Sequence, residues 1–195
     1  FYGLSLIVNT ETLIPRDDTE VIVDQTLLRI PAVLDAPFSI LDLGTGTGAI
    51  ALALKSIRPD VTVTAIDYYK ETLKIAQQNA ERNKLDVTFI QSNWFSNAPK
   101  KSFNIIVSNP PYIDPIDTHL SGDGVKFEPK RALTADNRGL ADLFHLIENA
   151  PSYFKNTGWL LLEHGYDQKE ALQSKMIECG YNKVSTIQDL GGNDR

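Results

Sequence analysis

Ile40-Leu41-Asp42-Leu43-Gly44-Thr45-Gly46-Thr47-Gly48-Ala49-Ile50 is the stretch on which the fold turns. A short apolar run passes through three alternating glycines straight into a helical pattern, so a strand hands over to a helix with almost no loop between them. Glycines there permit positive φ and let a ligand come close to the backbone, with the first N–H groups of the helix facing it. From residue 39 onward apolar runs alternate with helical patterns, the mark of a parallel α/β sheet. The predicted strands are 39–43, 61–66, 87–91, 104–108, 159–163 and 183–188; the predicted helices are 19–29, 48–57, 70–83, 139–154 and 168–179. Ile105-Ile106-Val107 and Leu160-Leu161-Leu162 are apolar without a break, as strands covered on both faces are. The expected architecture is α/β, a doubly wound and mostly parallel sheet.

Asp67 ends the second strand, 23 residues after Gly44. A carboxylate at that place can take both hydroxyls of a ribose. Gly44-x-Gly46-x-x-Ala49 also satisfies the dinucleotide fingerprint, so a nicotinamide dinucleotide stays open on the loop alone, as does a tight turn without a ligand. Asp42 suits the cationic amino-acid tail of S-adenosylmethionine better than a pyrophosphate, and it equally suits a structural turn. Asn93-Trp94, at the end of the third strand, can hold an adenine by one polar and one aromatic contact; plain core is the competing reading of Trp94.

The fourth strand runs into Asn109-Pro110-Pro111-Tyr112. A residue before proline is pushed out of the helical region, so Asn109 is expected to be extended. Two prolines then fix φ twice and remove two donors. What remains is a rigid ledge of acceptors, the Asn109 side-chain oxygen and the Pro110 carbonyl, with Tyr112 as an aromatic wall. Such a ledge fits a flat –NH2 group; the bland alternative is a proline-rich turn. Amide and nucleobase amino nitrogens are poor nucleophiles because their lone pairs are delocalised. Accepting both N–H bonds opposes that delocalisation, and catalysis then rests on positioning and preorganised acceptors.

The rest of the chain narrows the classes. A length of 195 residues allows one large domain with an ample core. No apolar run approaches a membrane span and no signal peptide is visible. Cys179, the single cysteine, excludes an internal disulfide and fits a reducing compartment, so a cytoplasmic location is expected. The net charge of −6, with no basic stripe, argues against a domain that grips nucleic acid by itself. His119, His145 and His164 are dispersed without metal-ligand spacing, no metal is expected, and no Ser-His-Asp arrangement or nucleophile elbow is present. The long connection 113–138 is expected to be a lid or binding loop. The chain opens on Phe1 and stops at Gly191-Gly192-Asn193-Asp194-Arg195, and both ends read as boundaries of something longer.

Taken together, Phe1-Tyr2-Gly3-Leu4, Leu13-Ile14-Pro15-Arg16 through Thr19-Glu20, the glycine loop, Ser108 through Tyr112, Phe127-Glu128-Pro129, Ala132-Leu133 and Glu163-His164-Gly165 resemble the HemK/PrmC family of release-factor glutamine N5-methyltransferases. The resemblance covers essentially the whole chain. It implies a Rossmann-like class I S-adenosylmethionine-dependent methyltransferase fold and methylation of the glutamine in the Gly-Gly-Gln motif of class I peptide chain release factors, with S-adenosylhomocysteine as product. On that match Gly44, Thr45, Gly46, Thr47 and Gly48, with Asp67, Asn93, Trp94 and Asn109, bind the cofactor. Asn109, Pro110, Pro111 and Tyr112 receive the glutamine, and Arg16 belongs with the substrate-binding residues. It further implies a segment and helix over 1–30 leading into a catalytic domain over 31–195, a helical substrate-recognition domain that this chain lacks, and a last antiparallel strand not present before Arg195. Asp17 stands where a proline is common, Asn93 replaces a frequent aspartate, and Gly192 also departs from the pattern. Two other classes use the same residues: a nucleic-acid adenine-N6 or cytosine-N4 methyltransferase, and a non-catalytic nucleoside-binding module.

Overall fold

The computed structural model describes residues 1–121, 127–189 and 191–195. Five strands form one parallel sheet: β1 (Ser39–Leu43), β2 (Thr62–Asp67), β3 (Thr88–Gln91), β4 (Phe103–Ser108) and β5 (Phe154–Leu162), in the order β3-β2-β1-β4-β5. The helices are α1 (Glu20–Leu27), α2 (Ala49–Ile57), α3 (Lys70–Asn83), α4 (Ala141–Asn149) and α5 (Lys169–Glu178).

Side chains alternate along each strand, so the two faces carry separate cores. Ile40, Val63, Ala65, Ile105 and Val107 meet Ile22 and Val23 of α1 and Ile50, Ala51 and Leu54 of α2 on one face. Leu41, Leu43, Ile66 and Ile106 meet Leu146 of α4, with Phe95 and Tyr153, on the other. Strand order reverses between β1 and β4, and in an open parallel sheet the ligand crevice lies outside the carboxyl ends of the strands at that switch. Those ends are stitched together: the Ser108 hydroxyl donates to the Leu43 carbonyl at 2.6 Å, and the backbone N–H groups of Ser92 and Glu163 donate to the Asp67 and Ser108 carbonyls at 3.0 Å.

Three expectations need correction. No strand forms over 183–188 among the described residues; Gln188 makes only an isolated antiparallel bridge with Asp194, because the segment has no neighbouring strand to complete its ladder. The fifth strand starts at Phe154, well before 159, because Phe154 pairs with Phe103 ahead of an irregularity in register. The helix predicted over 139–154 ends at Asn149 and tightens into a 3-10 turn, Ala150–Tyr153, since Pro151 cannot donate within a continuing α-helix.

The segment before α1 is fastened across the helices. Tyr2 N–H donates to Glu20, and Ile7 exchanges two hydrogen bonds with the buried Asn79 amide, 2.6 Å to Oδ1 and 3.0 Å from Nδ2. The 113–138 connection is pinned at its two ends, where Ile113 bridges to Thr134 and exchanges backbone bonds with Leu133 and Ala135. Residues 122–126 of that loop lie outside the described residues.

Candidate active site

The glycine loop is built as its spacing requires. Gly44, Gly46 and Gly48 adopt φ of 69°, 57° and 84°, values that residues with a Cβ avoid. Thr45 anchors the turn, its N–H donating to the Ile66 carbonyl at 2.9 Å and its hydroxyl to Asp42 Oδ2 at 2.6 Å. Asn79 Nδ2 holds the Thr47 carbonyl at 2.9 Å from α3.

A crevice of about 460 Å³ opens above this loop, within the range of small-molecule sites. Gly44, Thr45, Gly46, Thr47, Asp67, Asn93, Trp94, Asn109 and Pro111 line it. A Cβ added at Gly46 would meet no protein atom within 4 Å, so the loop backbone there is bare to the crevice. The Asp67 carboxylate accepts from the Gly46 and Tyr69 N–H groups, both at 3.0 Å, and burial pushes its pKa up. Trp94 stands at φ 45° and lays its ring over Gly44, where an added Cβ would approach it to 3.3 Å. A non-glycine residue in this conformation is a local cost that the surrounding structure sustains. An open glycine backbone, a carboxylate at the second strand end and an aromatic wall together fit a nucleoside carrying a charged tail.

Other predicted residues stand back from the crevice. Asp42 is fully buried beneath the loop, where it takes the Thr45 hydroxyl; burial raises its pKa to about 7, and its Oδ1 has no hydrogen-bond partner among the described residues. Gly48 begins α2 and faces Leu52 and Ala76. Pro110 is buried. Tyr112 leans against the Leu140–Leu143 cluster and its phenol donates to Glu163 Oε1 at 3.1 Å; burial is the main force raising its pKa. Arg16 spends its guanidinium on both oxygens of Glu128 at 2.7 Å.

Sequence reasoning missed several crevice residues. Thr12, Leu13, Pro15 and Thr19 arrive from the segment before β1, and Tyr68, Tyr69, Arg131 and Asp142 complete the wall. Arg131 lies over the Tyr69 ring, 4.0 Å from its centroid, and pairs with Glu11, so the N-terminal segment and the 113–138 loop meet across the mouth. Pairs 120 residues apart leave no local signal. Among the described residues no cluster of three or more His, Cys, Asp or Glu could hold a metal ion, and no helix is long and apolar enough to cross a membrane.

Comparison with known proteins bears on this geometry. Residues 23–122 match the model of the methyltransferase small domain family. The chain is 50% identical, over 196 aligned residues, to a release factor glutamine methyltransferase of Salmonella typhimurium, covering all of this chain and 70% of that protein. It is 48% identical to the protein of the same name from Shewanella oneidensis, covering 68% of it. Among solved structures, a methyltransferase from Pyrococcus furiosus superposes with a TM-score of 0.69 at 22% identity, over 95% of this chain and 82% of the other. The N-terminal domain of human METTL16 in complex with S-adenosylhomocysteine gives 0.68 at 18%, over 95% and 70%. At those identities the two structures speak for the fold alone.

Proposed function

Because the chain belongs to the release factor glutamine methyltransferase family, we propose that it methylates the side-chain amide nitrogen (N5) of the glutamine in the Gly-Gly-Gln motif of class I peptide chain release factors. S-adenosylmethionine, held in the crevice, supplies a methyl group on a sulfonium that leaves as a neutral thioether. The backbone of Gly44 to Thr47 and the Asp67 carboxylate hold it, with Trp94 closing one side. Asn109 carries the reading most directly: it lines the crevice beside the glycine loop, and its amide nitrogen is spent on Thr19 Oγ1 at 3.1 Å. Its oxygen is therefore available to accept an N–H from the substrate amide, and the Pro110 carbonyl accepts the second. With both protons held, the substrate nitrogen turns its lone pair toward the methyl group; as the N–CH3 bond forms and the S–CH3 bond breaks, the nitrogen becomes strongly acidic and sheds one proton to water, so no strong base is called for. Tyr112 steadies the ledge from behind through Glu163.

The test is transfer of label from S-adenosylmethionine to a release factor or, in a parallel arm, to DNA. Label on the release-factor glutamine is expected, with turnover falling about 100- to 1,000-fold in Asn109→Ala, the usual cost of one oriented hydrogen-bonding group. Label on DNA alone, or near-normal turnover in Asn109→Ala, overturns the assignment.

A further inference from the structure

Both polar ends of the Asn-Pro-Pro-Tyr ledge lead back to one carboxylate. Tyr112 donates its phenol to Glu163 Oε1 at 3.1 Å, and Asn109 Nδ2 donates to Thr19 Oγ1 at 3.1 Å. Thr19 is also one of the groups that favour the ionised Glu163 carboxylate against the burial that raises its pKa, although no hydrogen bond forms between the two. Glu163 and Thr19 are 5% and 4% exposed, and Glu163 Oε2 has no hydrogen-bond partner among the described residues. Glu163 is also in register with the ledge, since its N–H donates to the carbonyl of Ser108, the residue before Asn109.

Thr19 ends the 3-10 turn Asp17–Thr19 that runs into α1, and its side chain makes no cap hydrogen bond. A hydroxyl has one proton to give and two lone pairs. A buried carboxylate oxygen without another partner draws that proton, which leaves Thr19 Oγ1 able only to accept. The group that Asn109 turns toward it must then be the NH2, and the Asn109 oxygen is directed away. With the amide turned over, Asn109 would offer the incoming N–H a donor instead of an acceptor.

We propose that Thr19 and Glu163 are positioning residues: Glu163 orients the Thr19 hydroxyl, the hydroxyl locks the Asn109 amide with its oxygen toward the substrate nitrogen, and the same carboxylate holds Tyr112. The inference rests on the reading above, in which the Asn109 oxygen accepts from the substrate amide. Glu163→Gln is the sharpest perturbation. It keeps an acceptor for Tyr112 and puts an NH2 beside Thr19, whose hydroxyl then accepts from it and gives its proton to Asn109, reversing the amide.

The experiment uses the full chain with a release factor and measures kcat, KM, S-adenosylmethionine affinity by calorimetry, Tm, and the Asn109 side-chain 1H–15N resonances, identified by their loss in Asn109→Ala. Thr19→Val and Glu163→Gln are expected to lower kcat about 10- to 100-fold, in keeping with the cost of a small misplacement at a reacting centre. Cofactor affinity should stay within about threefold, and the Asn109 resonances should shift. Thr19→Ser should restore kcat and the resonances. Wild-type kcat in Thr19→Val and Glu163→Gln, with Asn109→Ala impaired, overturns the relay and leaves the proposed function standing. Thr19→Ser as impaired as Thr19→Val points to packing by the methyl group and also overturns it. Unimpaired Asn109→Ala removes the underlying reading itself.

Discussion

Replacing Gly139 by alanine is expected to destabilise the protein by about 2–5 kcal/mol and to disturb the Asn-Pro-Pro-Tyr ledge at the same time. Gly139 has φ +80°, and a Cβ built on it would stand 1.9 Å from the Tyr112 carbonyl oxygen and 2.6 Å from its carbon. Ordinary contact begins near 3.4 Å, so one backbone must retreat by about 1.5 Å. Neither is free to do so. The Tyr112 carbonyl is held by Gln168 Nε2 at 2.9 Å, and Gly139 N–H is bound to the Ala135 carbonyl at 3.0 Å. The left-handed backbone costs an L-residue about 1–2 kcal/mol, and forcing a group into packed surroundings costs about 1–3 kcal/mol more. In a chain of this size each kcal/mol shifts Tm by about 2–4 °C, so a fall of roughly 10 °C is expected in thermal denaturation followed by circular dichroism. Gly3→Ala is the matched control, since Gly3 has φ +75° but nothing within 4 Å of its added Cβ, leaving only the backbone cost of about 1–2 kcal/mol. Turnover should fall with Gly139→Ala and not with Gly3→Ala. Equal Tm values for the two variants would refute the overlap reasoning.

Other perturbations separate the parts of the site. Gly46→Ala should weaken S-adenosylmethionine binding at least about tenfold by calorimetry while costing only about 1–2 kcal/mol of stability, because its Cβ meets no protein atom and must project into the ligand's space. Asn79→Ala should cost about 2–4 kcal/mol in urea denaturation and loosen cofactor binding, since it strands the Ile7 N–H and carbonyl and the Thr47 carbonyl together. Asp42 is raised from 3.8 to about 7 in the fold, so the unfolded chain gives up that proton first. Its contribution to stability is present below pH 3.8 and lost as pH rises through about 7, by up to on the order of 4 kcal/mol. Asp42→Asn should flatten that part of the pH–stability curve, and a parallel fall in both proteins would contradict it.

Much of the sheet was legible because its information is local. β1 and α3 fall on their predicted bounds, since an unbroken apolar run and a 3.6-residue period need no distant partner to be read. The early half of β5, Phe154-Lys155-Asn156-Thr157-Gly158, has no such signature and owes its conformation to β4. Gly158 shows the dependence: a Cβ there would lie 2.8 Å from the carbonyl oxygen of Asn104 in β4, a contact written in the pairing rather than in the segment. Segment 183–188 fails for the converse reason, having the composition of a strand but no neighbour. At the site, the motifs indicated the crevice and the ledge, while the residues that hold them lay far away. Thr19 reaches Asn109 across 90 residues, Asn79 reaches Ile7 across 72, and Glu163 reaches Tyr112 across 51.

Among the ends of the strands, the buried carboxylates fall on the same side as the motifs. Asp42 lies buried near the end of β1 with one oxygen unpartnered, and Asp67 ends β2 with its pKa pushed up by burial. Trp94 follows β3 in a left-handed conformation, and Glu163 follows β5 with a second unpartnered oxygen. The opposite ends of these strands begin with Ser39, Thr62, Thr88, Phe103 and Phe154, none of them ionisable, and the three hydroxyl residues are half-buried or exposed. A buried carboxylate and a strained backbone lower stability wherever they occur. Left-handed residues occur elsewhere too, Lys101 ahead of β4 among them, but of the strand ends only the carboxyl ones carry buried carboxylates. Their place there follows when that edge must present preformed acceptors to a ligand and a substrate, because an acceptor fixed in advance has to be held by groups that cannot themselves relax. Glu163 is the clearest instance: its burial weakens the sheet edge, and what it orders is the pair of residues at either end of the ledge.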